Sequence, residues 1–353
     1  MSALLPDLLG LGVVTVFGFL LILLLAPLEA LGWWAGWYGD DKNAPALEDP
    51  PHLLTTETQD GELKSHYVVF LDGIAKATPE NYDDVQALLD RLAADLPDAA
   101  VLGDVIPYAV SGTPLTHSRP LSRFWRFARE RKIEDETSPV GFFINLRNLF
   151  QVLVSADKRY SPIYHFGEAQ TIIGDLLRHG YQPGSGVPIT LIGFSGGAQV
   201  AAGVAPYLKN LMRAPVDLIS LGGVISADPG LLEVRHLYHL AGSKDTVEKL
   251  GAFVFPGRWS WALSSSWNRA KRRGKFAYIP LGPFGHNGEG GYLDENAHLE
   301  NGVSYAEHTA TTILKILTDP VKVRSRYAKA AKTPPGFELW RRAQTASLWQ
   351  KSS

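Results

Sequence analysis

The most extended apolar stretch of the chain lies at its start. Residues 8–28, "LLGLGVVTVFGFLLILLLAPL", contain no charged residue. About 20 such residues in a helix rising 1.5 Å per residue cross the ~30 Å hydrocarbon layer of a bilayer. The pattern therefore predicts one N-terminal transmembrane helix. A secretory signal peptide would have a basic leader, a shorter apolar core and a small-residue cleavage site, and here no Lys or Arg precedes the run. Trp33, Trp34, Trp37 and Tyr38 follow it, the composition of an interfacial aromatic belt, which sets the anchor at residues 1–38. Residues 39–64 carry prolines and charges without periodicity and read as a linker.

From residue 65 the pattern changes to short β-rich runs separated by helical ones. "HYVVFLD" (66–72) and "AVLGDVIPY" (100–108) read as strands flanking an amphipathic helix over 80–97, with Val85, Leu88, Leu89 and Leu92 on one face. Four further strands are expected near 188, 216, 236 and 275. Near-continuous apolar strands alternating with helices predict an α/β class: a mostly parallel sheet with helices on both faces, over residues 65–318. Residues 109–187 are too long for a minimal crossover. Their helical patterns predict a helical insertion before the strand at 188, either a cap or helices packed on the sheet. Residues 319–353 form a tail of unassigned role.

Composition narrows the classes. At 353 residues, 45% hydrophobic and 20% charged, the chain can bury a full core and is not of disordered composition. A formal net charge of -2 gives no general attraction to polyanions, so nucleic acid is not an expected partner. With no cysteine, disulfides, thiolate metal sites and a cysteine nucleophile are excluded.

Candidate chemistry centres on "ITLIGFSGGAQVAAGVA", residues 189–205. A β-rich run ends at Gly193, Ser195 follows, and small residues then recur at helical spacing, as for a helix packed close to a sheet. Gly-x-Ser-x-Gly at a strand-to-helix turn is the nucleophile elbow, a tight bend that exposes a serine Oγ. A serine needs a base oriented by a third group. Asp245 in "GSKD" and His286 in "GHNG" each lie just beyond a later predicted strand, in the order Ser, acid, His.

With these elements in that order, residues 66–318 resemble an α/β-hydrolase of the serine esterase and lipase type. The resemblance implies Ser195 as nucleophile, His286 as general base and Asp245 as its orienting acid, with no metal and no cofactor. It also implies an oxyanion hole of backbone amides: Gly196, and Gly73 or Ile74 in the loop "FLDGIAK". Relatives often have His-Gly in that loop and this chain has Asp72-Gly73, placing a carboxylate near a developing oxyanion. The implied substrate is a carboxylic ester, lipid-like or with a small acyl group.

Rival assignments remain at this level. Asp228 in "ISADPG" is an alternative acid, although Asp-Pro-Gly is also an ordinary turn. His286, Glu289, Asp294 and His298 cluster in sequence, but no HExxH is present to set two histidines on one helix face. "GRWSWALSSSWNRAKRRGK", residues 257–275, places three tryptophans ahead of Arg269, Lys271, Arg272 and Arg273. Such a segment suits an anionic bilayer surface or a solvated helix face. Lys42 alone tilts the positive-inside balance, leaving the side of the membrane open. A non-catalytic hydrolase-like subunit of a membrane complex is the competing function.

Overall fold

The computed structural model describes residues 17–18, 62–74, 82–105, 107–108 and 139–327. The expected anchor, its aromatic belt with Trp33, Trp34 and Trp37, most of the linker, and residues 109–138 and 328–353 lie outside the described residues. Among the described residues no helix is long and apolar enough to cross a membrane.

Six parallel strands form one sheet: β1 (His66–Leu71), β2 (Ala99–Leu102), β3 (Ile189–Phe194), β4 (Val216–Leu221), β5 (Leu237–Gly242) and β6 (Phe276–Gly282). Their spatial order is β2-β1-β3-β4-β5-β6. The second strand is shorter than the 100–108 run suggested, because only Ala99–Leu102 pairs with β1. Every residue of β3, β4 and β5 is buried, as expected of central parallel strands covered on both faces. The edge strand β6 alternates buried and exposed positions instead.

Helices α1 (Asp83–Asp95), α2 (Pro139–Ala156), α3 (Ser161–Arg178), α4 (Gly197–Leu211), α5 (Thr246–Val254), α6 (Ser266–Arg272), α7 (Tyr305–Thr318) and α8 (Pro320–Tyr327) connect and follow the strands. The apolar faces of α2, α3, α4 and α6 share one core layer with Tyr67, Leu71, Leu191 and Leu218. Those of α1 and α7 share the opposite layer with Val68, Phe70, Ile192 and Ile219. Helix α1 buries the four residues expected from its periodicity, Val85, Leu88, Leu89 and Leu92.

Of the alternatives for residues 109–187, the described part packs on the sheet layer. Ile172, Ile173 and Leu176 of α3 are buried in the core. At Gly203 of α4 an added Cβ would lie 1.8 Å from the His165 ring, so α3 and α4 approach more closely there than any larger residue permits.

The order of the strands positions the site. The chain runs from β1 to one edge at β2, then returns to β3 on the other side of β1, and such a reversal opens a crevice at the carboxyl ends of the two strands. Leu71 of β1 pairs with Gly193 of β3. Asp72 and Gly73 therefore leave the sheet beside Ser195.

Candidate active site

Ser195 follows β3 with φ of 52°, a left-handed conformation that costs a non-glycine residue roughly 1–2 kcal/mol. Three backbone hydrogen bonds hold it there: its N–H donates to Leu221 O at 3.0 Å, and its carbonyl accepts from Ala198 N at 3.2 Å and Val224 N at 3.0 Å. The glycines on either side are required by close approach. A Cβ on Gly193 would lie 2.3 Å from Ala198 Cα, and one on Gly197 would lie 2.2 Å from Leu71 O. No rotamer adjustment relieves a clash with backbone atoms. The Gly-x-Ser-x-Gly spacing thus brings β3, the start of α4 and the end of β1 within contact of one another.

His286 leaves the loop after β6 and stacks on Phe194, with ring centroids 5.3 Å apart and planes at 21°. Its Nε2 lies 2.8 Å from Ser195 Oγ, and its Nδ1 lies 2.9 Å from Asp245 Oδ2. An ionised carboxylate only accepts, so the Nδ1 proton points at Asp245, leaving Nε2 to accept the Ser195 hydroxyl proton.

Asp245 is fully buried and occupies the N-cap position of α5. Its Oδ1 accepts from Val247 N at 2.8 Å and Glu248 N at 2.9 Å. Its Oδ2 accepts from Tyr292 Oη at 2.7 Å as well as from His286. Burial alone would raise the carboxyl pKa. The His286 hydrogen bond and charge, with the Glu248 amide and the Tyr292 hydroxyl, outweigh it and hold Asp245 below the usual carboxylate range.

Asp228, the alternative acid, faces other partners. Its Oδ2 accepts from Gln199 Nε2 at 3.0 Å and its Oδ1 from Gly230 N at 2.8 Å, closing the turn that Asp-Pro-Gly suggests. His286 is paired with Asp245.

Behind Ser195, the backbone of Gly196 opens α4. A Cβ there would meet Val152 Cγ2 at 2.7 Å, Ile74 Cγ2 at 3.0 Å and Tyr108 Oη at 3.2 Å, so these three side chains pack against its Cα. The loop after β1 is adjacent: a Cβ on Gly73 would lie 3.4 Å from Ser195 Cβ. The Gly73 amide donates to Asp72 Oδ1 at 2.6 Å. Two further bonds fix the loop, from Tyr108 Oη to Asp72 O at 2.8 Å and from Asn148 Nδ2 to Ile74 O at 2.7 Å. Helix α2 therefore contributes both a packing contact, Val152, and a tether, Asn148.

On the other side of the histidine lies a cleft of about 630 Å³, lined by Phe194, His286 and Leu293 and by the carboxylates of Asp83, Asp84, Glu289 and Glu295. It reaches the site through His286, and Ser195 does not line it. Asp294 accepts from Gly290 N and Asn296 N and so shapes the turn after His286. Among the described residues no group of three His, Cys, Asp or Glu side chains is placed to hold a metal ion.

Tyr292, Phe194, Tyr108, Val152 and Asn148 were not singled out by sequence. Tyr292 alone had a signal: an aromatic with a hydroxyl closing the glycine-rich loop that carries His286. Of the remaining histidines, His165 is buried on α3 and His308 packs near Phe284 at 5.8 Å. His239 joins a buried chain running from Ser220 Oγ (2.9 Å to its Nδ1) to Glu248 Oε1 (2.9 Å from its Nε2), and Arg258 adds a 2.6 Å bond to the same carboxylate.

The molecule is thus a parallel-sheet α/β protein carrying a serine, histidine and aspartate in one hydrogen-bonded line at the sheet's switch point. No family model matches the chain, and no curated protein does. Among solved structures it is similar to a dienelactone hydrolase-like promiscuous phosphotriesterase from metagenomic libraries, at 11% identity and a TM-score of 0.39, covering 74% of this chain and 89% of that one.

Proposed function

We propose that the protein is a membrane-anchored serine hydrolase that cleaves a carboxylic ester through an acyl-enzyme. The observation that carries this reading is the line from Ser195 Oγ through His286 to Asp245, at 2.8 and 2.9 Å, with the serine in a left-handed turn. In the proposed reaction Ser195 attacks the acyl carbonyl as His286 Nε2 takes its proton. Asp245 fixes the tautomer and stabilises the imidazolium, and His286 then protonates the leaving alcohol. Water, deprotonated by the same histidine, releases the acid.

Gly196 N–H is the first oxyanion donor in this reading, and the Ile74 amide is the second, since the Gly73 amide is already engaged by Asp72. The acidic wall of the cleft beside His286 disfavours an anionic leaving group. An uncharged or cationic alcohol fits there, and the acyl part lies toward Val152, Ile74 and Tyr108. Anchoring is supported by the charge-free run at residues 8–28.

The engagement of Gly73 by Asp72 favours a second reading, a non-catalytic hydrolase-like subunit of a membrane complex. Hydrolysis of p-nitrophenyl esters of graded acyl length separates the two. The enzyme reading expects turnover with a length optimum, abolished in Ser195→Ala. Equal background rates for both proteins would support the binding subunit.

A further inference from the structure

Six large apolar side chains within one short stretch are presented to solvent: Leu250, Phe253 and Val254 on α5, and Trp259, Trp261 and Leu263 in the segment between α5 and α6. Phe253 is 76% exposed and Trp261 71%, values at which neither ring contributes to a core. Single exposed apolar residues are ordinary, but a group of this size marks a surface that meets something.

The group is held in place by specific bonds. Trp259 Nε1 donates to Ala252 O at 2.8 Å, tying the segment back to α5. The rings of Trp259 and Trp261 lie 5.3 Å apart. Asn268 of α6, itself buried, donates to Trp259 O at 2.7 Å and Ala262 O at 3.0 Å. Arg272 donates to Leu263 O at 2.7 Å. These three bonds from α6 bring the basic helix against the apolar segment. Arg269, Arg272 and Arg273 are exposed on it or at its end, and Lys249 is exposed on α5, whereas the Lys271 ammonium lies over the Trp267 and Phe276 rings at 5.3 and 4.9 Å. The one acid of α5, Glu248, is turned inward to His239 and Arg258.

From this juxtaposition we infer that the α5–α6 face docks onto the surface of an anionic bilayer, with Phe253, Trp261 and Leu263 entering the interfacial layer and Arg269, Arg272 and Arg273 meeting lipid phosphates. Tryptophan and phenylalanine beside a basic stripe are the side chains that partition to that layer, and each cation near an anionic surface adds to the attraction. Charge complementarity favours this occupant over a second copy, whose face would bring the same cations against each other. The inference rests on the membrane anchoring proposed above and is independent of the proposed chemistry. It extends the sequence reading, in which three tryptophans and a basic run stood for this surface. Trp267 proves to be core, stacked under Arg258 at 4.3 Å, while Leu250, Phe253 and Leu263 carry the apolar share.

The absence of cysteine allows a direct test with the full-length chain. Phe253→Cys, Leu263→Cys and, as a control on exposed α1 of the opposite layer, Ala87→Cys are labelled with an environment-sensitive fluorophore. Each is reconstituted into phosphatidylcholine vesicles with and without 30% phosphatidylserine (a composition set for the test, about that which gives a strongly negative surface) and recovered by flotation. The inference expects a blue shift and quenching by lipid-borne nitroxide at 253 and 263 but not at 87. Both effects should be stronger with phosphatidylserine and weakened several-fold by raised salt or by Arg269→Ala, Arg272→Ala and Arg273→Ala together. Floating protein whose 253 and 263 labels stay water-exposed overturns the docking and leaves the anchor standing. Protein that does not float overturns both. Shielding of those labels already in detergent, unchanged by lipid, overturns it in favour of a covering protein segment. Labelling of the same samples by a fluorophosphonate reports on the hydrolase reading separately.

Discussion

Tyr292 donates from its hydroxyl to Asp245 Oδ2 at 2.7 Å while accepting from Gly242 N at 2.8 Å. The phenol thereby links the end of β5 to the carboxylate hydrogen-bonded to His286. Burial and the neighbouring Asp245 charge push the Tyr292 pKa far up, so the hydroxyl remains a donor at any working pH. Tyr292→Phe removes that donor and leaves the His286 contact in place. A hydrogen bond to a charged group contributes about 1.5–3 kcal/mol. The expected result is a kcat lowered about tenfold or more with KM little changed, measured by steady-state ester hydrolysis.

In the proposed enzyme, the left-handed Ser195 makes a trade between stability and chemistry measurable. Ser195→Ala removes the hydroxyl and keeps a Cβ in a conformation that penalises one; Ser195→Gly removes both. After allowing about 0.5–1 kcal/mol for the greater unfolded entropy of glycine, Ser195→Gly is expected to melt at the same temperature as Ser195→Ala or slightly above it, with both inactive. Gly193→Ala and Gly197→Ala should instead fail to accumulate as folded protein, since their added carbons meet backbone at 2.3 and 2.2 Å. Differential scanning calorimetry of the soluble variants and recovery of the other two decide it.

Asp72 is buried and turns Oδ1 onto the amide of Gly73. In the proposed enzyme this bond shapes the loop that presents Ile74 N to the oxyanion. Asp72→Ala should lower kcat by about 10- to 100-fold, within the range seen for loss of one oxyanion donor or less. Asp72→Asn, whose Oδ1 still accepts, should retain most of the rate. Equal losses in both variants would point to the charge rather than the turn.

The buried network of Glu248, His239 and Arg258 predicts a stability effect. The bonds to His239 and Arg258 hold the Glu248 pKa down to about 2 against the upward push of burial. Glu248→Ala leaves Arg258 enclosed without that partner and should cost about 3 kcal/mol. Adding Arg258→Met should restore part of it. Urea unfolding of the single and double variants measures the coupling.

Acid sensitivity should appear in two ranges. Burial lowers the pKa of His165 and of His239, so both stay neutral in the fold while the unfolded chain protonates them below about 6.5. The unfolded state then binds more protons, and stability falls as pH drops below that value. Asp245 and Glu248 have depressed values, so their contribution is present above the unfolded carboxylate value, about 4, and is lost as pH falls toward about 2 for Glu248. The melting temperature should decline first below pH 6.5 and again below pH 4. His165→Gln should flatten the first decline relative to its own value at pH 8.

Much of this architecture is legible in the pattern of apolar positions. The four buried residues of α1 and the fully buried β3 to β5 follow directly from their period and composition. Ser195, Asp245 and His286 stand out because the elbow needs two glycines and the other two residues follow strand ends. The preference for Asp245 over Asp228 rests, in the sequence, only on the turn signature Asp-Pro-Gly; the carboxylate that meets His286 in the fold is Asp245. Val152 and Asn148 are opaque, because their role arises from a long-range approach of α2 to the β1 loop that no local pattern encodes. At 250–267 the sequence shows the aromatics but not which of them the core absorbs. Trp267 lies on α6 and turns into the core, while Trp261 lies in the turn before that helix and is exposed.

In the proposed enzyme Ser195 is a nucleophile activated by His286 and Asp245. The most direct test is stoichiometric labelling of the detergent-solubilised full-length protein with a fluorophosphonate, followed by peptide mass analysis. One adduct per chain is expected, located on Ser195, absent in Ser195→Ala and slowed by roughly 10³-fold or more in His286→Ala and Asp245→Asn, the order expected for loss of a triad partner. Folded wild-type protein that takes up no label, or labels at Ser195 no faster than the His286→Ala variant, would contradict it.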